Sequence, residues 1–359
     1  MSHPLAKTFI IVLGLCASSP AVAGEPQFTR IFGPEVPTGP YKHPACMTEL
    51  ANGDLYLVYY GGSGEYGIDT SVYGSRLKKG EARWSTPKVV AHDPFRSAGN
   101  GVVWQSPDGL VWLFYNVRYG ETWSTTRVQF KVSYDNGETW SDSSMLLDEE
   151  GSMVRGRPIV LANGNYLLGV YHETGSDPEF TAADTYSFFM SFNPKQKEKG
   201  WTRLGGIRSP KGNLQPAAVE MEPGHLIAYC RRAGDYDPKT IGYIVRAESF
   251  DGGKTWTEGK DTAFPNPNAA VDIIKLRSGN LVLIYNDCMH GRTPLTLAVS
   301  KDGDKTWPIK KNLLADPKND YGYPIILQGA DDRIHVMYTS DKRGVVNHAV
   351  LGEDWLLGQ

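Results

Sequence analysis

The sequence predicts an all-β fold, a six-bladed β-propeller, and three observations predict it. A short segment of alternating apolar residues recurs six times at a nearly constant period. A second motif, S-x-D-x-G-x-T-W, recurs in phase with the first. The 359 residues include 39 glycines, 19 tyrosines and 9 tryptophans, a composition that suits short strands joined by tight turns better than long helices.

The first repeat is a turn residue followed by an alternating strand that ends in an aromatic residue. Its six copies begin 56, 55, 60, 55 and 53 residues apart and occupy positions 53–59, 109–115, 164–171, 224–229, 279–285 and 332–338. Alternation of this kind predicts β-strands. A period of about 50 residues with several strands per unit is typical of propeller blades.

The second repeat predicts a hairpin turn in several blades. Residues 133–140 and 249–256 match the motif in full, residues 300–307 have Asp304 in place of the glycine, and Trp84 and Trp201 mark two degenerate copies. We expect the Ser and Asp side chains to bond the turn backbone and the Trp to cover the blade. The motif aspartates, Asp135, Asp251 and Asp302, are therefore interpreted as turn residues.

The N-terminal segment, residues 1–23, is predicted to be an export signal. Lys7 precedes the apolar run 9–15, and Ala21-Val22-Ala23 is a small-x-small site at which cleavage after Ala23 is expected. The run is shorter than the roughly 20 residues that a membrane helix needs, so we expect a secreted or periplasmic protein with no integral membrane segment. Residues 24–359 then form one domain of six blades, closed by pairing of segment 28–32 with the last blade.

Composition excludes several classes of function. The formal net charge is −3, and −4 without residues 1–23, which argues against a nucleic-acid binder. Neither CxxC nor HExxH spacing occurs, so no metal and no cofactor are expected. Cys46, Cys230 and Cys288 lie in apolar runs and are interpreted as buried small hydrophobes. We expect a monomer.

The first strand of each propeller blade lines the central channel, and it should precede each glycine-led strand by about ten residues. Aligning these strands places one polar residue per blade in register, at steps of 57, 57, 58, 53 and 55: His43, Asn100, Arg157, Gln215, Asn268 and Tyr323. The periodicity therefore predicts a ring of polar side chains at one height on the axis. Alternatively, axial polar residues such as Asn100 and Asn268 simply satisfy the hydrogen bonds of their polar neighbours around a water-filled channel.

Further charged residues are predicted close to this ring: Lys42, Arg155, Arg231, Arg232, Arg292, Glu65 and Asp69. The mouth of the channel would thus be cationic and aromatic on a slightly acidic protein. Arginine side chains bind carboxylates or sulfates bidentately, and aromatic rings suit the faces of sugars. An acidic glycan or polysaccharide is the expected partner.

These motifs resemble the sialidase-like (neuraminidase-like, BNR/Asp-box) superfamily over nearly all of residues 24–359. The resemblance is specific in the three Asp-boxes and in runs 215–220, 266–268, 291–295 and 323–324. It implies an arginine triad for a substrate carboxylate, a tyrosine nucleophile assisted by a glutamate, and an aspartate acid/base.

Carried over by position, the resemblance implies Tyr323 as nucleophile. Two of the arginines would be Arg292 and either Arg231 or Arg232, and the acid/base would be Asp69, with Glu65 close behind. The sequence departs from the pattern twice: Lys42-His43-Pro44 stands where the first arginine is expected, and Gln215 stands where the activating glutamate is expected. An amide cannot take the proton of a tyrosine, whose usual pKa is about 10.

Three functions fit these residues. The favoured one is an exo-acting glycoside hydrolase that removes a terminal acidic sugar. The second is a polysaccharide lyase that cleaves uronate polymers by β-elimination, with His43 and either Tyr323 or Tyr171 transferring protons and Arg157 neutralising the carboxylate. The third is a non-catalytic propeller that binds acidic glycans.

Overall fold

A computed structural model describes residues 24–176, 180–235 and 241–358. The predicted export signal, residues 1–23, lies outside this part of the chain. Within it, six antiparallel sheets follow one another along the sequence, and each contributes one blade. The predicted all-β, six-bladed propeller is confirmed.

The strands are numbered along the chain, and the first, β1 (Gln27–Phe32), belongs to the last blade. Blade 1 contains β2 (Tyr41–Glu49), β3 (Leu55–Gly62), β4 (Ser71–Leu77) and β5 (Lys88–Ala91). Blade 2 contains β6 (Ala98–Gln105), β7 (Val111–Arg118), β8 (Thr126–Ser133) and β9 (Ser144–Leu147). Blade 3 contains β10 (Ser152–Val154), β11 (Ile159–Val160), β12 (Tyr166–His172), β14 (Tyr186–Phe192) and β15 (Trp201–Ile207).

Blade 4 contains β16 (Asn213–Glu222), β17 (His225–Arg232), β19 (Tyr243–Ser249) and β20 (Lys260–Pro265). Blade 5 contains β21 (Asp272–Lys275), β22 (Leu281–Asn286), β23 (Leu295–Ser300) and β24 (Ile309–Leu314). Blade 6 contains β25 (Gly322–Gln328), β26 (Ile334–Ser340) and β27 (Val345–Leu351). The short strands β13 (Phe180–Thr181) and β18 (Gly234–Asp235) pair with each other and join blades 3 and 4. Two 3₁₀ turns, Trp123–Thr125 and Lys197–Lys199, and the helix α1 (Glu353–Leu357) complete the elements.

The ring closes where the N-terminal strand joins the last blade. Strand β1 pairs antiparallel with β27, with Phe28 opposite Ala349 and Thr29 opposite His348. The predicted pairing of segment 28–32 is confirmed. Because β1 is the outermost strand of blade 6 and leads directly into blade 1, one sheet joins the first and last strands of the described chain and closes the ring.

Apolar side chains fill the wedges between neighbouring blades. Between blades 2 and 3 the Trp112 ring packs against Phe192 and Trp201, with ring centroids 5.3 and 5.6 Å apart. Blades 1 and 2 approach so closely that a Cβ on Gly101 would lie 2.8 Å from Val72 Cγ1. Wedge packing of this kind makes the inner strands a rigid support for the side chains on the axis.

The cysteines were predicted to be buried, and for one of them this is wrong. Cys46 and Cys230 are buried and free, but Cys288 is only half-buried. It follows the end of β22, in the loop that leads to Arg292, and so lies outside the buried strand.

The second repeat forms the turns that the sequence predicts. In the turn after β19, the Asp251 carboxylate accepts hydrogen bonds from Ser249 Oγ, Thr255 N–H and Thr255 Oγ1 at 2.8, 2.9 and 2.6 Å. The Thr255 side chain and backbone hold the pKa of Asp251 at about 2. In the third copy, Asp304 keeps the left-handed backbone of the missing glycine, with φ of 76°.

Asp251→Ala is expected to lower the free energy of unfolding at pH 7 by about 1 kcal/mol, since three hydrogen bonds to an exposed carboxylate are lost. A carboxyl group with a folded-state pKa of about 2 stabilises the protein above its unfolded pKa, near 4, and this contribution is lost as the pH falls towards 2. Urea unfolding at pH 7 and near pH 2 measures the difference. Glu258→Ala, at an exposed position in the same blade, is the control; equal losses for the two variants at pH 7 would contradict the turn assignment.

Candidate active site

Four of the six predicted axial residues share an unusual backbone. The φ angles are 46° at Asn100, 54° at Gln215, 56° at Asn268 and 50° at Tyr323. In three of these four blades the inner strand has a register shift at the same point. A left-handed backbone costs about 1–2 kcal/mol for a residue other than glycine, so the surrounding contacts must hold these residues in place.

Tyr323 lies at the centre of the site. Its side chain is 9 % exposed, and its hydroxyl oxygen receives hydrogen bonds from Arg231 Nη1 at 2.7 Å and from Gln215 Nε2 at 3.5 Å. Three inner positions from three different strands thus meet at one oxygen atom. We call Tyr323, Arg231, Gln215, Arg292 and His43 the axial cluster.

Arg231 is buried and held by polar contacts along its side chain. Its Nε donates to Asn268 Oδ1 at 2.6 Å, and its Nη1 also donates to Gln215 Oε1 at 3.3 Å. Asn268 Nδ2 in turn donates to the carbonyl oxygens of Gly234 and Asp235 in β18. Asn268 therefore orients the guanidinium of Arg231 and joins it to the bridge between blades 3 and 4.

The structure distinguishes the two adjacent arginines at the end of β17. Arg232 donates to the carbonyl oxygens of Asn266 and Ala233 at 2.7 and 2.9 Å, whereas Arg231 reaches Tyr323. Side chains of neighbouring residues in a strand point to opposite faces, which explains the difference. Arg231 is the member of this pair that belongs to the axial cluster.

Two further guanidinium groups surround the Tyr323 ring. Arg292 Cζ lies 5.3 Å and Arg155 Cζ 5.8 Å from the ring centroid. Burial raises the pKa of the Tyr323 hydroxyl, but the positive charges of Arg231 and Arg292 outweigh burial, and the pKa lies below its ordinary value near 10. The arrangement favours an anionic oxygen on Tyr323.

His43 contacts the other side of Tyr323, with ring centroids 4.2 Å apart and the rings nearly perpendicular. Its Nδ1 lies 2.7 Å from Thr339 Oγ1, which itself donates to the Gly322 carbonyl oxygen at 3.2 Å. A hydroxyl group has one hydrogen, so Nδ1 is the donor in the first bond. Burial, followed by the charges of Arg343 and Arg292, holds the pKa of His43 well below its usual range, and the ring is neutral.

Gln215 and Asn100 meet at a second tyrosine. Tyr171 Oη receives hydrogen bonds from Gln215 Nε2 at 3.3 Å and from Asn100 Nδ2 at 3.4 Å. Asn100 and Asn268 thus bond to Tyr171 and Arg231 respectively, not to each other. Both asparagines therefore bond polar neighbours on the axis, as the alternative for these two residues expects.

Arg157 and Lys42 lie outside the axial cluster. Arg157 Nη2 donates to the carbonyl oxygen of Ile326 at 2.7 Å, and the residue of blade 3 beside Tyr323 is Arg155 instead. The prediction of one height for all six residues fails here because the inner strand of blade 3 is interrupted between β10 and β11. Lys42 Nζ bonds the Gly39 carbonyl oxygen at 2.5 Å, because Lys42 and His43 point to opposite faces of β2.

The two predicted acid/base residues are already engaged by neighbouring groups. Glu65 forms an ion pair with Arg343 and accepts hydrogen bonds from Tyr41 Oη at 2.7 Å and Trp123 Nε1 at 3.1 Å. Asp69 is exposed, and Ser63 Oγ donates to its carboxylate at 2.7 Å. This hydrogen bond lowers the pKa of Asp69, so at neutral pH its carboxyl group has no proton to donate.

A third carboxyl group, Glu173, lies at the site; the sequence places it near the mouth of the channel but assigns it no catalytic role. It follows the end of β12, and its N–H donates to the Gly151 carbonyl oxygen at 2.8 Å. Burial raises the pKa of Glu173 to about 7, Arg231 opposes this rise, and Glu65 adds to it. A carboxyl group that is half protonated near neutral pH suits general acid catalysis. In the sequence, Glu173 comes directly after the third repeat strand. Arg231 has the corresponding position at the end of the fourth repeat strand, and this shared position was the signal that could have found Glu173.

The described residues contain no group of three or more histidine, cysteine, aspartate or glutamate side chains placed to hold a metal ion. None of the helices described is long and apolar enough to cross a membrane.

Comparison with known proteins agrees with the repeat architecture. The family model described as "BNR repeat-like domain" matches residues 53–336. A curated sialidase of Bacteroides fragilis (strain YCH46) is 26% identical over 250 residues, which are 64% of this chain. The match spans 42% of the length of that curated protein.

Solved structures of sialidases share the fold. The NanB sialidase of Streptococcus pneumoniae superposes with a TM-score of 0.74 at 12% identity, covering 92% of this chain and 71% of that one. An intramolecular trans-sialidase of Ruminococcus gnavus superposes with a TM-score of 0.72 at 14% identity, covering 91% and 98%. At such identities the likeness establishes the propeller fold alone.

Proposed function

Because this chain belongs to the family of BNR repeat-like domains and is a sialidase-like propeller, we propose that it is a glycoside hydrolase that removes a terminal acidic sugar, such as a sialic acid, from a glycan. The observation that carries the proposal is the convergence of Arg231 and Arg292 on Tyr323. Two guanidinium groups beside a buried tyrosine oxygen suit a sugar that bears both a carboxylate and a reactive anomeric carbon.

The reaction divides into two displacements. The Tyr323 oxygen forms a bond to the anomeric carbon while the glycosidic C–O bond breaks, and the leaving oxygen takes the proton of Glu173. Water then attacks the same carbon, gives a proton to the Glu173 carboxylate and releases Tyr323. Arg231 and Arg292 supply positive charge to the substrate carboxylate throughout.

Product analysis tests the proposal. The purified protein is incubated with sialylated oligosaccharides and with uronate polymers, and the products are measured by mass spectrometry. Hydrolysis incorporates one water per released sugar, whereas β-elimination gives an unsaturated uronate that absorbs ultraviolet light. Release of a free acidic sugar supports the proposal. An unsaturated product, or saturable binding of acidic oligosaccharides without any product, would overturn it.

Arg292→Ala is expected to weaken binding of an acidic oligosaccharide by about 10- to 100-fold, because a hydrogen-bonded charge partner of the carboxylate contributes about 1.5–3 kcal/mol. Calorimetric titration measures the affinity. Arg277→Ala removes an arginine that is 53% exposed and paired with Asp332, and should leave binding unchanged. Equal affinities for Arg292→Ala and the unmodified protein would place the carboxylate elsewhere.

We also propose that the protein is exported. The support is the sequence of residues 1–23, and the mass of the mature protein recovered from outside the cytoplasm tests it. A mature chain beginning at Gly24 is the expected result.

A further inference from the structure

We propose that Gln215 acts as a hydrogen-bond donor that holds Tyr323 as a phenolate in the resting protein, so that this tyrosine needs no carboxylate base. The inference rests on the proposed function, in which Tyr323 is the nucleophile, and it assigns Gln215 a positioning role there. It concerns the point at which this chain departs from the pattern of the family it resembles.

The orientation of the Gln215 amide follows from its neighbours. Arg231 Nη1 lies 3.3 Å from Gln215 Oε1, and a guanidinium can only donate. The amide oxygen must therefore face Arg231, and Nε2 must face the oxygens of Tyr323 and Tyr171, at 3.5 and 3.3 Å. With two hydrogens, Nε2 can donate to both tyrosines at once.

The hydrogen-bond count at Tyr323 favours the anion. Among the described residues, its oxygen has two hydrogen-bond partners, Arg231 Nη1 and Gln215 Nε2, and both are donors. A neutral hydroxyl would keep its own hydrogen without an acceptor among these described residues, which is costly for a group in a mostly buried site. A phenolate accepts both donors and has no hydrogen left to place.

The charges around Tyr323 act in the same direction. Within the described part of the chain, the groups that face it from the surrounding elements are Arg155, Arg231, Arg292, Arg343, Glu65, His43 and Tyr171. Two further carboxyl groups act on these arginines, Glu173 on Arg231 and Asp272 on Arg155. Glu65 is paired with Arg343, and His43 is neutral. The positive charges of Arg231 and Arg292 are therefore the largest that act on the Tyr323 oxygen, and they lower its pKa against the opposing effect of burial.

An amide at position 215 leaves the positive charge around Tyr323 unchanged. A carboxylate there would also accept the hydrogen bond of Arg231, but it would cancel much of the guanidinium charge and repel a phenolate. Gln215 accepts from Arg231 through its oxygen and donates to Tyr323 through its nitrogen without adding charge. When the phenolate forms, the proton passes to water, and no other group on the protein has to take it.

Ultraviolet absorbance titration tests the inference without any substrate. Tyrosinate absorption is followed from about pH 5 to about pH 11 in the unmodified protein and in Tyr323→Phe. We expect one tyrosine, absent from Tyr323→Phe, to be ionised already at about pH 7, well below the ordinary value near 10. If the difference spectrum instead shows that Tyr323 is protonated at about pH 7, the inference is overturned.

Variants at position 215 test the role of the amide. Gln215→Glu should shift the ionisation of Tyr323 upward by at least about one pH unit, and Gln215→Leu, which removes the donor but adds no charge, should shift it upward by less. Gln215→Leu also covers the case in which Gln215→Glu does not fold. Gln196→Glu, at an exposed glutamine, is the matched control and should cause no shift. An unchanged or lower ionisation in both position-215 variants would contradict the role of Gln215.

The titration and the product assay fail separately. A low ionisation of Tyr323 without sugar release would reject the proposed function and leave the phenolate inference standing. Sugar release by a protein in which Tyr323 ionises normally would support the proposed function and reject the phenolate inference.

Discussion

Tyr323→Phe is expected to lower kcat/KM for release of an acidic sugar by at least about a thousand-fold, while the affinity for the substrate changes by less than about threefold. The substitution removes the oxygen atom that would attack the anomeric carbon. It keeps the ring that contacts His43 and leaves Arg231 and Arg292 in place to bind the carboxylate. Initial rates and calorimetric binding on the same preparations measure the two effects.

A second tyrosine provides the control. Tyr321, two residues earlier, is 4% exposed and packs against Tyr338, with ring centroids 6.0 Å apart. Tyr321→Phe removes a hydroxyl group close to the site in sequence but outside the axial cluster, and it should leave the rate unchanged. Full activity in Tyr323→Phe would reject a tyrosine nucleophile.

Glu173→Gln is expected to lower the rate on a natural glycan by about 10²- to 10⁴-fold, the usual contribution of a positioned proton donor. The pKa of Glu173 is raised to about 7, so its carboxyl group is protonated below pH 7 and loses its proton above it. Activity of the unmodified protein should therefore fall as the pH rises through about 7. This alkaline limb should be absent from Glu173→Gln, because an amide does not titrate.

Two comparisons separate a proton donor from a merely structural residue. On an aryl glycoside, whose leaving group needs little protonation, Glu173→Gln should lose much less activity than on a natural glycan. Asp69→Asn changes the other candidate acid, whose carboxylate is bound by Ser63, and should lower the rate by less than about threefold. A large loss in Asp69→Asn with a small loss in Glu173→Gln would assign the acid to Asp69 instead.

The propeller could be predicted from local signals. The alternation in segments such as 53–59 and 279–285 reports which residues face the core, and the Ser-x-Asp turns report their own hydrogen bonds. In each pattern, the residues that interact lie within a few positions of one another along the chain. Their period then counts the blades, and the pairing of β1 with β27 follows from the need to close the ring.

The site was only partly predictable, because local signals do not report contacts between residues of different blades. Register placed Tyr323, Gln215 and Asn268 on the axis, since each lies at a fixed distance from its repeat. The register predicted Arg157 on the axis, but the residue of blade 3 beside Tyr323 is Arg155, two positions earlier. The break between β10 and β11 changes the spacing from the repeat strand to the axis in this blade. Glu173 carried no motif, and its protonation depends on burial and on Arg231 from another blade.

The sequence by itself determined the number of blades, their order and the places of Tyr323, Gln215 and Asn268 on the axis, since these depend on periodic patterns within single repeats. The tertiary structure decided which of the paired arginines reaches Tyr323, which carboxyl group can hold a proton, and that His43 is neutral. Those properties depend on the burial and charge that neighbouring blades impose on one another, and these exist only once the ring is closed.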